Sequence, residues 1–267
     1  MYKLLLATND PAVVEAFSAV KWEELGFKQP RVVSTAEEAL SSSLRVNHAD
    51  AVAIGLPKEQ DDLLVEQLLE KNPMLPIMAV STKPGVIESY AVELRRLLGR
   101  INADVSNDAF STADLLKECR HEFFRALMDG RATSEEDVLR HLRLIRSKMD
   151  PTKPCVVAEL EIPADNDFLR GRWQYGSDRL EVALRNIFGV EAHGLRILAC
   201  VLPGDRIVLL GCPMLFHEGP DEDASITGIL SDHIRDSIEH VDEYMGIDLR
   251  IASIRVLPCL TALAHKD

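Results

Sequence analysis

The sequence predicts an α/β fold in parts: a doubly wound, mostly parallel sheet over residues 1–110, a helical linker over 111–150, and an α+β domain over 151–267. Three observations predict it. Short apolar runs alternate with helix-spaced stretches in the first part, which calls for parallel strands with helices on both faces. Two prolines in Asp150-Pro-Thr-Lys-Pro154 end the helical stretch before them. After that break the order is strand, helix, a pair of strands joined by a short link, helix and strand.

Taken in order, Leu4-Leu-Leu-Ala7 reads as a buried strand, and Pro11 suits the first turn of a helix through Phe17 and Val20. Arg31-Val-Val33 is a second strand. The next helix opens at Ser34 or Thr35, with Glu37 and Glu38 in a first turn where negative charge is favoured. Ala51 to Ile54 makes a third strand, Asp61 to Leu69 a helix, Pro76 to Val80 a fourth strand, Glu88 to Leu98 a helix, and Ile101 to Val105 a fifth strand. From Ser111 to Met149 the pattern changes. Leu115, Leu116, Cys119, Phe123, Ala126 and Leu127 follow helical spacing, Gly130 interrupts, and Ser134-Glu-Glu-Asp137 opens another helix carrying Val138, Leu142 and Ile145. The last part has strand Cys155 to Leu160, helix Ser177 to Phe188, and strands Leu195 to Leu202 and Arg206 to Leu210. Helix Ala224 to Met245 and strand Leu249 to Leu257 follow. The link Pro203-Gly-Asp205 implies a hairpin. This is the split βαβ, or ferredoxin-like, order.

Composition narrows the function. Of 267 residues, 46% are hydrophobic and 27% charged, as in an ordinary globular chain that folds without a metal or staple. The net charge of −13 repels phosphate backbones, so direct nucleic-acid binding by this chain is not expected. Tyr2 to Thr8 is too short, and too soon followed by Asn9-Asp-Pro11, for a signal peptide. No apolar run nears the ~20 residues that span a bilayer. The expected compartment is the cytoplasm, without membrane contact. Cys119, Cys155, Cys200, Cys212 and Cys259 are widely spaced, mostly within apolar runs, and read as reduced core thiols.

Other chemistries find no foothold. The sequence has no Gly-x-Ser-x-Gly elbow, Walker loop, Gly-x-Gly-x-x-Gly fingerprint or paired Cys-x-x-Cys. His233 and His240 share a helix face with Asp236, but seven residues of helix span ~10 Å, too far for one ion, so a solvated face is expected. Asp165-Asn-Asp167 is an acidic turn without the remaining ligands of a calcium loop.

Met1-Tyr-Lys-Leu-Leu-Leu-Ala-Thr-Asn-Asp-Pro11, Trp22-Glu-Glu-Leu-Gly-Phe27, Ala36-Glu-Glu-Ala-Leu40 and Ala49-Asp-Ala-Val-Ala-Ile54 follow one another with the spacing of a known pattern. On these stretches the first domain resembles the receiver domain of bacterial response regulators, of the branch with an AraC-type DNA-binding domain. The resemblance implies a flavodoxin-like doubly wound sheet with its pocket at the carboxyl ends of the strands. Active receivers hold a divalent cation with an acidic pair after the first strand and accept phosphoryl on an aspartate after the third. They keep a Ser or Thr after the fourth strand and a Lys after the fifth. Here the acidic pair falls on Thr8 and Asn9, with Asp10 beside them, and the acceptor position falls on Gly55. Ser81 keeps the hydroxyl. Asp104-Val-Ser106 offers no Lys. Thr8, Asn9 and Asp10 form either a polar turn and helix cap or a weak cation site centred on Asp10. Asp61 and Asp62 sit in a helix first turn, where negative charge needs no further reason.

The second domain resembles a degenerate GGDEF domain, the fold of diguanylate cyclases. The signature hairpin aligns with Pro203-Gly-Asp-Arg-Ile207, so Pro203 stands in the place of the first glycine and Arg206 in that of the metal-binding acid. Arginine is neither carboxylate ligand nor base. Glu159 and Glu161 lie where the other metal carboxylate would be sought; residual nucleotide binding would involve Asp205, Arg206 and Arg179. The stretch His121-Glu-Phe-Phe-Arg-Ala-Leu-Met-Asp-Gly-Arg131 resembles the connector between sensory and output parts of such regulators. It is either a helix packed on its own domain or a dimer helix.

The expectation is therefore a degenerate response regulator, a pseudo-receiver joined to a GGDEF-like domain. It works in signal transduction and transcription regulation, with no catalytic, cofactor or metal residues of its own. Expected partners are a second copy through the linker helices and an upstream sensor or other regulator. A DNA-binding helix-turn-helix is expected beyond Asp267 or on another chain. The competing expectation is an enzyme, diguanylate-cyclase-like or nucleotide-binding, with shifted catalytic residues.

Overall fold

The computed structural model describes residues 1–43, 49–105, 112–131, 134–163, 173, 176–204, 206–216 and 223–264. The chain divides into two compact units, one of Met1–Arg120 with Arg140–Ser147, the other of His121–Leu139 with Lys148–Asp267.

The first unit alternates β1 (Leu4–Thr8), α1 (Pro11–Ala19), β2 (Arg31–Val33), α2 (Ala36–Ser43), β3 (Ala51–Gly55), α3 (Lys58–Lys71), β4 (Ile77–Met78) and α4 (Pro84–Val105). Its strands are parallel in the order β2-β1-β3-β4, the order of a flavodoxin-like sheet. Every residue of β1 is buried, as are Ala51 to Ile54 of β3. Apolar runs without alternation are what a sheet covered on both faces requires. Thr8 lies opposite Gly55 at the carboxyl ends of the central pair.

One expectation fails: Ile101 to Val105 is not a fifth strand but the end of α4. The buried Ile87, Ala91, Leu94, Leu98 and Ile101 recur at alternating intervals of four and three, so one apolar stripe draws the helix past Leu98. The described sheet accordingly has four strands.

The Trp22 to Phe27 stretch closes the base of β1. Trp22 stacks on Phe17 with ring centroids 5.4 Å apart and meets Phe27 edge-on at 6.0 Å. Its Nε1 donates to the Phe17 carbonyl at 2.7 Å, satisfying the one polar atom of a fully buried indole. Gly26 turns the chain at φ 85°, and an added Cβ there would press on the Arg95 guanidinium at 3.2 Å.

The division between units falls inside α5 (Thr112–Met128) and α6 (Glu135–Leu144), each belonging partly to both. The second unit continues with β5 (Cys155–Glu161), α7 (Gly176–Phe188), β6 (Glu191–Ala192), β7 (Leu195–Leu202), β8 (Arg206–Pro213), α8 (Asp223–Met245), β9 (Arg250–Leu257) and a 3-10 turn at Leu260–Ala264. The sheet is antiparallel in the order β6-β7-β8-β5-β9. Without the two-residue β6, which the sequence did not announce, this is the split βαβ arrangement of an α+β domain. On one face Val156, Ala158, Ile197, Ala199, Ile207 and Leu209 pack with Leu180, Leu184 and Phe188 of α7 and Ile226, Leu230 and Ile234 of α8. On the other face Cys155, Val157, Leu198, Cys200, Val208, Leu210 and Cys212 are buried too. An antiparallel sheet commonly leaves one face to water; this one does not along its central strands. No helix among the described residues is long and apolar enough to cross a membrane.

Candidate functional site

At the carboxyl ends of β1 and β3, Thr8 is buried and its hydroxyl is fully engaged. It donates to the Gly55 carbonyl at 2.9 Å and accepts from the Asp10 amide at 3.2 Å. Asp10 is exposed, and its Oδ1 accepts from the Ala12 amide at 2.8 Å, capping α1 with Pro11 in the first turn. That is the helix-cap geometry, with extended backbone at the cap and an orphan amide satisfied. Asn9 is exposed.

Gly55 is closed off by its neighbours. A Cβ built there would lie 2.7 Å from Val80 Cγ2 and 3.4 Å from Thr8 Oγ1. The first distance is far inside carbon–carbon contact, so Val80 occupies the volume a side chain would need. Ser81 follows Val80, and its Oγ accepts from the Lys83 amide at 3.1 Å, ordering the turn into α4. The structure thus joins Thr8, Asp10 and Gly55 in one hydrogen-bonded set and gives the Ser81 hydroxyl a local partner. Ser106 lies outside the described residues.

Asp61, in the first turn of α3, accepts from Arg143 Nη2 at 2.7 Å. Burial raises its carboxyl above the usual carboxylate range, and the Arg143 charge opposes that rise. Asp62 is half-buried on the same turn.

In the second unit the β7–β8 hairpin turns at Pro203 and Gly204, whose φ of 81° suits glycine. Asp205 lies outside the described residues. Ile207 is buried, whereas Arg206 reaches across the sheet, its Nη2 donating to Glu159 Oε1 at 2.9 Å. The register explains this: Glu159 pairs with Val208 on one side and Ser253 on the other, so Arg206 and Arg255 stand two residues away on the same face. Arg255 lies 3.7 Å from the same oxygen. Glu159 is thus flanked by two guanidiniums, which favours an ion pair and repels a metal cation. Glu161 and Arg179 are exposed. Among the described residues, no group of three or more His, Cys, Asp or Glu side chains is placed to hold a metal ion.

The histidine face of α8 is less idle than expected. His233 Nε2 bonds the Phe188 carbonyl at 2.7 Å, satisfying an orphan acceptor at the end of α7. His240 Nδ1 bonds the Asp236 carbonyl at 2.8 Å, and its ring stacks on Tyr244. Asp165 to Asp167 lie outside the described residues.

One charged cluster escaped the sequence reading. Glu181 on α7 is 1% exposed, and its two oxygens accept from Arg125 Nε at 2.9 Å and Nη2 at 2.7 Å. The Val201 amide on β7 donates to the same carboxylate at 2.9 Å. This bidentate pair ties the His121–Arg131 stretch to the sheet and satisfies an edge amide that no strand reaches. The carboxylate raises Arg125 further above its usual range. Burial, with Glu181 close by, pushes the Cys200 thiol up to about 12. Its sequence signal was an acid beside the Leu180, Leu184, Phe188 stripe with Arg185 one turn on. Cys119, Cys155, Cys200 and Cys212 are buried thiols, and Cys259 is half-buried.

Compared with known protein families and with curated proteins, the chain matches none.

Proposed function

We propose that this protein is a pseudo-response regulator: a signal-relay chain whose receiver-like unit works by protein contact rather than by aspartyl phosphorylation. The observation that supports the reading best is the closed position at Gly55. An acceptor aspartate needs a side chain there, and Val80 already fills the space, 2.7 Å from where its Cβ would begin. The Thr8 hydroxyl is engaged by the Gly55 carbonyl and Asp10 Oδ1 by the α1 cap, and among the described residues no acidic cluster stands beside them to seat magnesium. Two-component signalling supplies the regulatory context, with an upstream sensor or second regulator as partner.

The second unit serves as a GGDEF-like relay without turnover. Glu159 held between Arg206 and Arg255 supports that assignment, because cyclase chemistry needs acids there to carry a metal. The relay elements are α5 and α6, which also supply the surface for homodimerisation. The output assigned by this reading is transcriptional.

The test is direct. The protein is incubated with magnesium and either acetyl phosphate or GTP, then weighed intact while the nucleotides are separated. An unchanged mass and unconsumed GTP are expected. An added phosphate on an aspartate, or any cyclic dinucleotide, overturns the reading in favour of a diguanylate-cyclase-like or phosphotransfer enzyme.

A further inference from the structure

Along Arg140–Ser147 in the first unit, arginines recur at Arg140, Arg143 and Arg146. The first two have acidic partners from the α/β part of that unit. Arg140 pairs with Glu93 on α4 and lies 4.8 Å over the Tyr90 ring. Arg143 pairs with Asp61 on α3 at 2.7 Å. Arg146 has none: it is 2% exposed, yet among the described residues nothing bonds its Nε or Nη2. Arg120 turns its guanidinium to the backbone here, donating to the Ile145 carbonyl at 3.0 Å and the Arg146 carbonyl at 2.9 Å.

The backbone adds a second cost at the same residue. Helix α6 ends in a Schellman-type turn, with the Ser147 amide on the Leu142 carbonyl at 2.8 Å and the Arg146 amide on that of Arg143 at 3.1 Å. The residue after such a helix end is usually glycine, because it needs a left-handed backbone. Arg146 adopts it at φ 54°. A buried guanidinium without a counter-charge, on a strained backbone, is a combination that stability alone disfavours. Burial, with Arg120 and Arg143 close by, lowers its guanidinium to about 10, which leaves it charged at neutral pH.

We infer that Arg146, between Arg120 and Arg143, anchors a binding site for a small oxyanion, either a phosphate group or the carboxylate of a metabolite. The planar fork of arginine matches both, two donors to two oxygens. Burial sets the size: a side chain 2% exposed is out of reach of a peptide backbone or nucleic acid, so the ligand is a small ion admitted by local opening around Arg146. The bound anion supplies the counter-charge that Glu93 and Asp61 supply to the neighbouring arginines. The site uses none of Thr8, Gly55 or Ser81, so it stands or falls separately from the phosphorylation-independent reading above.

The experiment is thermal unfolding of the full chain carrying Trp173→Phe, followed by fluorescence of Trp22, with inorganic phosphate, citrate or sodium chloride at matched ionic strength. Phosphate or citrate is expected to raise Tm saturably by about 3–5 °C, with no saturable effect of chloride. Phosphate alone acting points to a phosphorylated ligand, citrate alone to a carboxylate. Arg146→Met keeps the aliphatic stem and is expected to abolish the rise. Arg146→Lys keeps the charge without the fork and is expected to move the half-saturating concentration up about tenfold. The inference is overturned if neither oxyanion gives a saturable rise, or if Arg146→Met retains it. Should Arg146→Met not fold, an unchanged half-saturation in Arg146→Lys overturns it instead.

Discussion

Gly55→Ala places a methyl carbon 2.7 Å from Val80 Cγ2 and 3.4 Å from Thr8 Oγ1. Carbon–carbon contact becomes favourable only near 3.5 Å, so Val80 or β3 must give by roughly 0.8 Å. Overpacking of this kind costs about 1–3 kcal/mol. Gly55 is not in the left-handed region, so alanine also gains about 0.4–1 kcal/mol by stiffening the unfolded chain. The net expectation is a loss of roughly 0.5–2 kcal/mol in the wild-type background. In Val80→Ala the obstructing methyl is gone, and the same substitution at Gly55 becomes neutral or stabilising. The double-mutant cycle then shows a coupling of about 1–2 kcal/mol. The assay is urea unfolding followed by Trp22 fluorescence in a Trp173→Phe background, so that the signal reports the first unit. Equal cost in both backgrounds, or stabilisation in both, refutes the claim that Val80 closes the acceptor position.

Three further outcomes follow from the buried charges and thiols. Glu181→Gln keeps an acceptor for the Val201 amide but removes the charge facing Arg125, which is 30% exposed on its own side; a loss of about 2 kcal/mol is expected, and Glu181→Ala about 3 or more. Urea unfolding followed by far-UV circular dichroism reads both, and a loss under about 0.5 kcal/mol for the alanine variant contradicts the structural weight given to this pair. Cys200, its thiol pushed up to about 12, should resist iodoacetamide at pH 8 in the folded protein while the half-buried Cys259 is labelled first; mass-spectrometric mapping that finds Cys200 modified as fast removes the assignment. Burial raises the folded Asp61 carboxyl above its ordinary value, so the folded state holds its proton more tightly and stability contributed at low pH is lost as pH rises from the ordinary carboxylate value through the folded one. Asp61→Asn should flatten that fall in a pH series of urea midpoints, and an identical slope in both proteins sinks the attribution.

Much of the fold is written in local patterns. The runs Leu4 to Ala7 and Ala51 to Ile54 are buried throughout, so an uninterrupted apolar stretch beside helical spacing was enough to predict the parallel sheet. The hairpin at Pro203 and Gly204 was equally local. Ile101 was misread because strand and helix share short apolar runs; the deciding fact was its three-residue step from Leu98, which continues the α4 stripe. The two-residue β6 is too short to leave a pattern at all. At the candidate site, the missing side chain of Gly55 was visible in the sequence, but Val80 as the reason for it was not, since packing between the end of β3 and the segment after β4 is a property of three dimensions. The same holds for Arg125 with Glu181 and Arg206 with Glu159: each acid and base is plain in the sequence, and only the folded sheet and helices pair residues so far apart in the chain.

Each unit here is assembled from two separate stretches, so the polypeptide passes from one to the other three times, after Arg120, Leu139 and Ser147. A single protease nick at any of those crossings therefore leaves the pieces laced by the remaining strands of chain. Cutting the gene after residue 110 would strip the first unit of Arg140 and Arg143, and with them the partners of Glu93 and Asp61. Dissecting this molecule calls for grafting or circular rearrangement rather than a simple truncation.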